Sequence, residues 1–148
     1  MRGPIQPGAD VPIFGRREPE RAYRVRDAAY AVIFDERRRV ACVTEESGLF
    51  LPGGGLEAGE DPVRAVQREV AEECGRTVEI LSPLGSAVQI CHSIRGGDFE
   101  LHATFFLARF GPVLPAPGHL EVHWFPAAAE PPPLYHECHR WAVQRAIG

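Results

Sequence analysis

Apolar residues recur along this chain with two periods, and the period predicts the elements. Ala28 to Phe34 (AAYAVIF) is a continuous apolar run, as in a strand buried on both faces, and Val40 to Thr44 is a second. The charged stretch Asp35 to Arg39 between them predicts a turn, so the two strands read as a hairpin. Leu49 to Pro52 is a short strand that delivers the chain into a loop of three glycines, Gly53 to Gly55. Later come a strand over Val78 to Leu81, a turn at Ser82 to Gly85, and a strand over Ala87 to Ile94. After the turn Arg95-Gly96-Gly97-Asp98, Phe99, Leu101, Ala103, Phe105 and Leu107 alternate with Glu100, His102 and Thr104, marking a long strand to Phe110 with two unlike faces. Gly111 to Gly118 is a proline-rich loop, Leu120 to Phe125 a last strand, and Leu134 to Ile147 a closing helix.

Between Asp61 and Cys74 the period lengthens to that of a helix. Pro62 suits a first helical position, where its missing N–H is unneeded, and Asp61 can cap the free amides of the first turn. Val63, Val66, Val70 and Cys74 form one apolar stripe, and Gly75 is the residue type that ends a helix in the left-handed conformation. Strands with one helix in the middle and one at the end predict an α/β fold, a mixed sheet sandwiched between helices. The length of 148 residues fits a single domain over 1–148. Met1 to Asp10, rich in Gly and Pro, reads as a loose arm, and Val11 to Phe14 as a short strand or lid.

Composition narrows the function classes. The formal net charge is -4 with scattered basic residues, so there is no footprint for a stable nucleic-acid partner. No run of about 20 apolar residues could cross a membrane, and no apolar run near the start resembles a signal peptide. Cys42, Cys74, Cys91 and Cys138 are widely spaced without a Cys-x-x-Cys pair and read as four buried thiols, which places the protein in the cytoplasm.

The chemistry gathers where the glycines meet the helix. Glu69, Glu72 and Glu73 span roughly 100° of the helix surface at about 100° per residue and flank its apolar stripe. Carboxylates one turn apart repel when ionised unless a cation sits among them. Hard oxygen ligands of this kind suit Mg²⁺ or Mn²⁺, which take the rest of their shell from water and a substrate phosphate. The adjacent glycines allow close backbone approach to a metal or phosphate.

With these residues in place the chain resembles a known family. Gly54, Glu60, Arg68, Glu69, Val70, Glu72, Glu73 and Gly75 stand in the spacing of the signature of the Nudix hydrolases. Arg76 departs from it, standing where an aliphatic residue is expected, with Val78 or Ile80 to supply the apolar anchor. Seven fixed residues in this register arise by chance in on the order of one chain in a million or fewer at average residue usage. The resemblance implies an α/β/α sandwich and a metal-dependent pyrophosphohydrolase. It makes Glu69, Glu72 and Glu73 metal ligands with the carbonyl of Gly54, and has Arg68 hold Glu60 or Glu69 by a charge-assisted hydrogen bond. Which glutamate serves as base varies within that family, and proximity to the metal-bound water makes Glu69 the first choice.

Other residues are weighed against simpler roles. Glu57 can bind a second metal or face water. Glu121 is a candidate acid or base from outside the motif and otherwise an exposed strand residue. Trp124, with Phe125, can stack a substrate base or serve the core. His136, Cys138 and His139 do not form a zinc motif, because Cys138 projects away from the face that the histidines share. The three arginines of the turn at Asp35 to Arg39 read as a solvated tip or a phosphate contact.

The expected reaction is cleavage of a phosphoanhydride in a nucleoside diphosphate linked to another group. Nucleoside triphosphates, including oxidised guanine nucleotides, are favoured over ADP-ribose and dinucleoside polyphosphates. Cys91, His92 and Ser93 supply neither the proline nor the tyrosine of enzymes resembling those two groups. The rival classes are a nucleotide-sensing module without turnover, against which the intact Arg68, Glu69, Glu72 and Glu73 argue, and an RNA-end pyrophosphohydrolase, against which the lack of a basic stripe argues. A homodimer is compatible with either reading.

Overall fold

A computed structural model describes residues 10–93, 96–128, 130 and 132–148. Except for Asp10, the expected arm lies outside these residues, as does Arg95 of the expected turn. In chain order the elements are β1 (Ile13–Phe14), β2 (Arg24–Ile33), β3 (Arg39–Glu45), β4 (Gly48–Phe50), β5 (Gly53–Gly55), α1 (Pro62–Cys74), β6 (Arg76–Ser93), β7 (Gly97–Val113), β8 (Val122–Pro126) and α2 (Glu137–Ile147). One sheet has the order β1-β6-β7-β2-β5 and a smaller one β4-β3-β8. β2 runs parallel to β7, and β7 antiparallel to β6, so the larger sheet is mixed.

The apolar run in β2 has its explanation in this layering. Ala28, Tyr30 and Val32 pack with Phe105 and with Cys138, Ala142 and Val143 of α2. Ala29, Ala31 and Ile33 pack with Ala65, Val66 and Val70 of α1. A strand covered by a helix on each face has no side free for polar residues. The result is the expected α/β sandwich of a mixed sheet between two helices. Among the described residues no helix is long and apolar enough to cross a membrane.

Four local expectations are corrected. β2 and β3 do not form a hairpin, because β5 and β7 occupy both edges of β2. Only the bridge Phe34↔Val40 links the two, and β3 pairs instead with β4 and β8. The three glycines are not a loop but strand β5, paired with Ala28 to Tyr30. Gly53 has φ +144°, and a side chain there would strike the Ala29 carbonyl and Tyr30. The turn at Ser82 to Gly85 is a bulged part of β6, with register shifts between Ile80 and Ser82 and between Pro83 and Gly85. A bulge tolerates the missing N–H of Pro83. Lastly, two thiols are fully buried, Cys42 and Cys138, while Cys74 and Cys91 are half-buried, and all four are free.

Helix α1 has the ends its sequence predicts. Asp61 accepts the Arg64 N–H at 2.9 Å, and Gly75, at φ +67°, donates to the Ala71 carbonyl. The segment after β7 closes the carbonyl end: Leu114, His119 and Leu120 donate their N–H groups to Gly75, Glu72 and Glu73. Gly118 lies so close to Glu73 and Cys74 that a side chain there would clash with helix backbone. At the departing position, Arg76 donates from Nε to the Gly111 carbonyl at 2.9 Å and lies over the Phe110 ring, and Val78 is the buried neighbour.

Candidate active site

The centre of the site is Arg68, on the face of α1 that looks toward β5. Its Nε and Nη2 grip both oxygens of Glu60 at 2.8 and 2.9 Å, Nη1 donates to Glu69 Oε1 at 2.6 Å, and Nη2 also reaches the Gly55 carbonyl at 3.0 Å. One planar guanidinium thus ties the helix, the loop before it and strand β5 together. Glu60 also accepts the Glu57 N–H at 2.9 Å. The Arg68 fork, opposed in part by desolvation and aided by that N–H, lowers the Glu60 pKa to about 2.

Glu73 is buried with 5% of its surface exposed, and its Oε1 accepts the Gly53 N–H at 3.1 Å. Burial pushes its pKa well above the ordinary carboxylate range; the Gly53 N–H opposes this, and the neighbouring Glu69 adds to it by charge and hydrogen bonding. Glu69 in turn lies against Gly54 so closely that a side chain on Gly54 would overlap its carboxylate. The glycine is therefore a requirement of the carboxylate's position.

The predicted ligands are brought onto one stretch of surface but not onto one point. Glu69 lies against Gly54 and beside Glu73, whereas Glu72 is half-exposed and sits 3.6 Å from Arg68 Nη1. Glu57 is further out, 69% exposed and 3.7 Å from Arg68 Nε. Among the described residues no three His, Cys, Asp or Glu side chains converge at metal-ligating distance. The donor set nevertheless fits a hard divalent cation: two neighbouring carboxyls, one of them buried and its pKa raised first by that burial and then by its neighbour, are what a cation would relieve.

Glu121 lies at the start of β8, 82% exposed, 3.9 Å from His123 Nε2. Trp124 stands edge-on to Phe110 at 5.9 Å, in a cleft that has no residue in common with the Arg68 cluster. Among the described residues, neither side chain makes a hydrogen bond or ion pair with Glu69, Glu72 or Glu73.

The sequence reading missed a second support of the site. Leu51, two residues before Gly53, donates its N–H to His139 Nδ1 at 3.2 Å, and His139 is fully buried on α2. Because Nδ1 accepts, the ring proton is on Nε2. Burial lowers the pKa of His139 and brings that of His136 down to about 4, so both rings are neutral. His136 packs on Phe50 at 5.5 Å, Tyr135 packs on the same ring at 5.5 Å, and Tyr135 itself is 55% exposed. An aromatic cluster therefore forms around Phe50 of β4, three residues before Gly53 in sequence.

No curated protein shows significant sequence similarity to this chain. Among solved structures it is similar to a MutT NUDIX hydrolase from Burkholderia pseudomallei, with 27% identity over 82% of this chain and 98% of that one, at a TM-score of 0.63. A NUDIX hydrolase from Nitrosomonas europaea matches at 20% identity over 84% and 89% of the two chains, TM-score 0.63. An ADP-ribose pyrophosphatase from Streptococcus suis matches at 23% identity over 82% and 91%, TM-score 0.58. The NUDIX domain model itself matches residues 24–145, from the start of β2 into the last turn of α2. With the motif on α1, the sandwich around β2 and this match in agreement, the chain belongs to the NUDIX family of hydrolases.

Proposed function

We propose that the protein hydrolyses nucleoside triphosphates, oxidised guanine nucleotides among them, to the monophosphate and pyrophosphate, with Mg²⁺ or Mn²⁺ as cofactor. The observation that carries this reading is the Arg68 cluster, in which one guanidinium sets Glu60 and Glu69 beside Gly54 while Glu73 is anchored to Gly53. Glu69, Glu72, Glu73 and the Gly54 carbonyl would hold the metal. Bound there, a divalent cation neutralises phosphate charge and lowers the pKa of a water.

The chain's own residues do the rest. Arg68 fixes one oxygen of Glu69, leaving the other on the Gly54 side to take the proton of the attacking water. Glu73, fastened to the Gly53 N–H, keeps β5 at a fixed distance from α1. Phe50 and the exposed Tyr135 offer a ring face for the substrate base. Hydrolysis adds water across the α–β phosphoanhydride: the new P–O bond replaces the bridging P–O bond, whose electron pair leaves with the pyrophosphate or the monophosphate according to the phosphorus attacked.

A panel of nucleoside triphosphates, ADP-ribose and dinucleoside polyphosphates, incubated with Mg²⁺ or Mn²⁺ and resolved by anion-exchange chromatography, tests the reading. Pyrophosphate and monophosphate from a triphosphate are the expected products. Faster turnover of ADP-ribose than of any triphosphate would reject the substrate class while leaving the chemistry intact.

A further inference from the structure

The fold gathers four arginines and an aromatic wall away from the Arg68 cluster. The turn before β3 supplies Arg37, the start of β3 Arg39, the start of β6 Arg76, and β7 Arg109; Phe110 and Trp124 form the wall of a cleft of about 610 Å³. That size is within the ordinary range of small-molecule sites, about 300 to 1,000 Å³. No residue of it belongs to the carboxylate cluster.

Three of the four guanidinia are positioned in advance. Arg39 is held through Nε by Asp35 at 2.7 Å, Arg76 through Nε by the Gly111 carbonyl at 2.9 Å, and Arg109 through Nε by Glu79 at 2.8 Å. Among the described residues these are the only side-chain hydrogen bonds of the three, so in each the terminal amino groups retain their donors. The Arg37 side chain has no hydrogen bond or ion pair among the described residues. On the acidic side, Asp35 is consumed by Arg39 and by the N–H groups of Arg37 and Arg39, which leaves Glu36 as the other carboxylate of the lining. Arg76 is stacked on Phe110, 4.9 Å from its centroid, and Trp124 meets the same ring edge-on. Fixed guanidinium forks suit phosphate oxygens, and an indole beside them suits a base.

We propose that this cleft is a second ligand site, which binds a nucleoside diphosphate with its phosphates on Arg37, Arg39, Arg76 and Arg109 and its base on Trp124. Charge separates the two sites. The carboxylates of α1 repel a nucleotide unless a divalent cation lies between them, whereas the arginine cleft attracts it without one.

The test is calorimetric titration of the full chain with ADP in excess chelator. Saturable binding to one site is expected, weakened about tenfold or more in Arg37→Ala/Arg109→Ala and unchanged in Glu72→Gln. Both replaced arginines are on exposed segments, and the melting temperature of the double variant verifies its fold. Fluorescence supplies a second readout: ADP should quench the indole emission, and the quenching should be lost in Trp124→Phe. Inorganic pyrophosphate in place of ADP should bind several-fold more weakly; equal affinity would reject the base contact. Absence of saturable binding, equal affinity of the double variant and the wild type, or loss of binding in Glu72→Gln would each overturn the site. With Mg²⁺ present, nucleotide hydrolysis by the double variant should match the wild type, and a loss there would overturn the separateness of the cleft.

Discussion

Replacing Arg68 by lysine keeps the charge and removes the fork, and the structure sets the expected cost. Of four hydrogen bonds made by the guanidinium, an ammonium in its place can keep the one to Glu69 or part of the pair to Glu60, but not all. The side chains of Arg68 and Glu60 are only 23% and 13% exposed, so the lost bonds are screened in part. At about 1.5 kcal/mol each, the lower end for charge-assisted bonds, two to three losses come to about 3 to 4.5 kcal/mol, which solvent screening reduces to roughly 2 kcal/mol. For a domain of this size that is a fall of about 4 to 8 °C in melting temperature. The pH dependence identifies the cause. Glu60 has a folded pKa lowered to about 2, below its ordinary value of about 4.3, so its contribution is complete above the ordinary value and is lost as pH falls through about 2. The gap between wild type and Arg68→Lys should be widest at neutral pH, with about half of it gone near pH 3. Scanning calorimetry of both proteins across that window measures it. An equal gap at neutral pH and at pH 3 would assign the loss to packing and refute the ionic argument.

Three more outcomes follow from the same geometry. Gly54→Ala puts a methyl into the Glu69 carboxylate, so kcat should fall by about 100-fold while the melting temperature barely moves; steady-state kinetics beside a thermal melt decides. His139→Leu leaves the Leu51 N–H without its acceptor at a cost of about 1 to 3 kcal/mol, and His139→Asn, with an oxygen in a comparable place, should recover part of it. Equal melting temperatures for the leucine and asparagine variants would exclude the hydrogen bond as the cause. Glu69→Gln should lower the maximal rate without recovery at high metal concentration, because an amide can still ligate but cannot take a proton; return to near the wild-type rate in a metal titration would move the base role to another residue.

Local signals carried most of the fold and long-range pairing did not. The ends of α1 were legible because Asp61, Pro62 and Gly75 each act within one turn of the helix. The partners of β3 were not, since nothing between residues 34 and 40 reveals that β5 and β7 already occupy both edges of β2. The glycine strand was misread for a related reason: glycines suggest a loop, yet here their lack of side chains lets β5 lie against Ala29 and Tyr30. At the site, the family resemblance implied Glu60 or Glu69 as the partner of Arg68, and the guanidinium binds both. The burial of Glu73 was available and overlooked: Val66, Val70 and Glu73 stand at i, i+4 and i+7, which puts the carboxylate on the apolar stripe. His139 could not be placed from sequence, since its partner Leu51 is 88 residues away.

The central claim, that the acidic face of α1 works through a divalent cation, is tested most directly by the hydrolysis rate of a nucleoside triphosphate as Mg²⁺ is titrated against a chelator. Glu72→Gln, whose carboxylate is half-exposed and contributes little to the fold, is followed beside the wild type. The account predicts that wild-type turnover disappears in chelator and returns with added Mg²⁺, that Glu72→Gln stays slower by orders of magnitude, and that the metal raises the melting temperature of the wild type. Undiminished hydrolysis in excess chelator, or a Glu72→Gln variant as fast as the wild type, would contradict it.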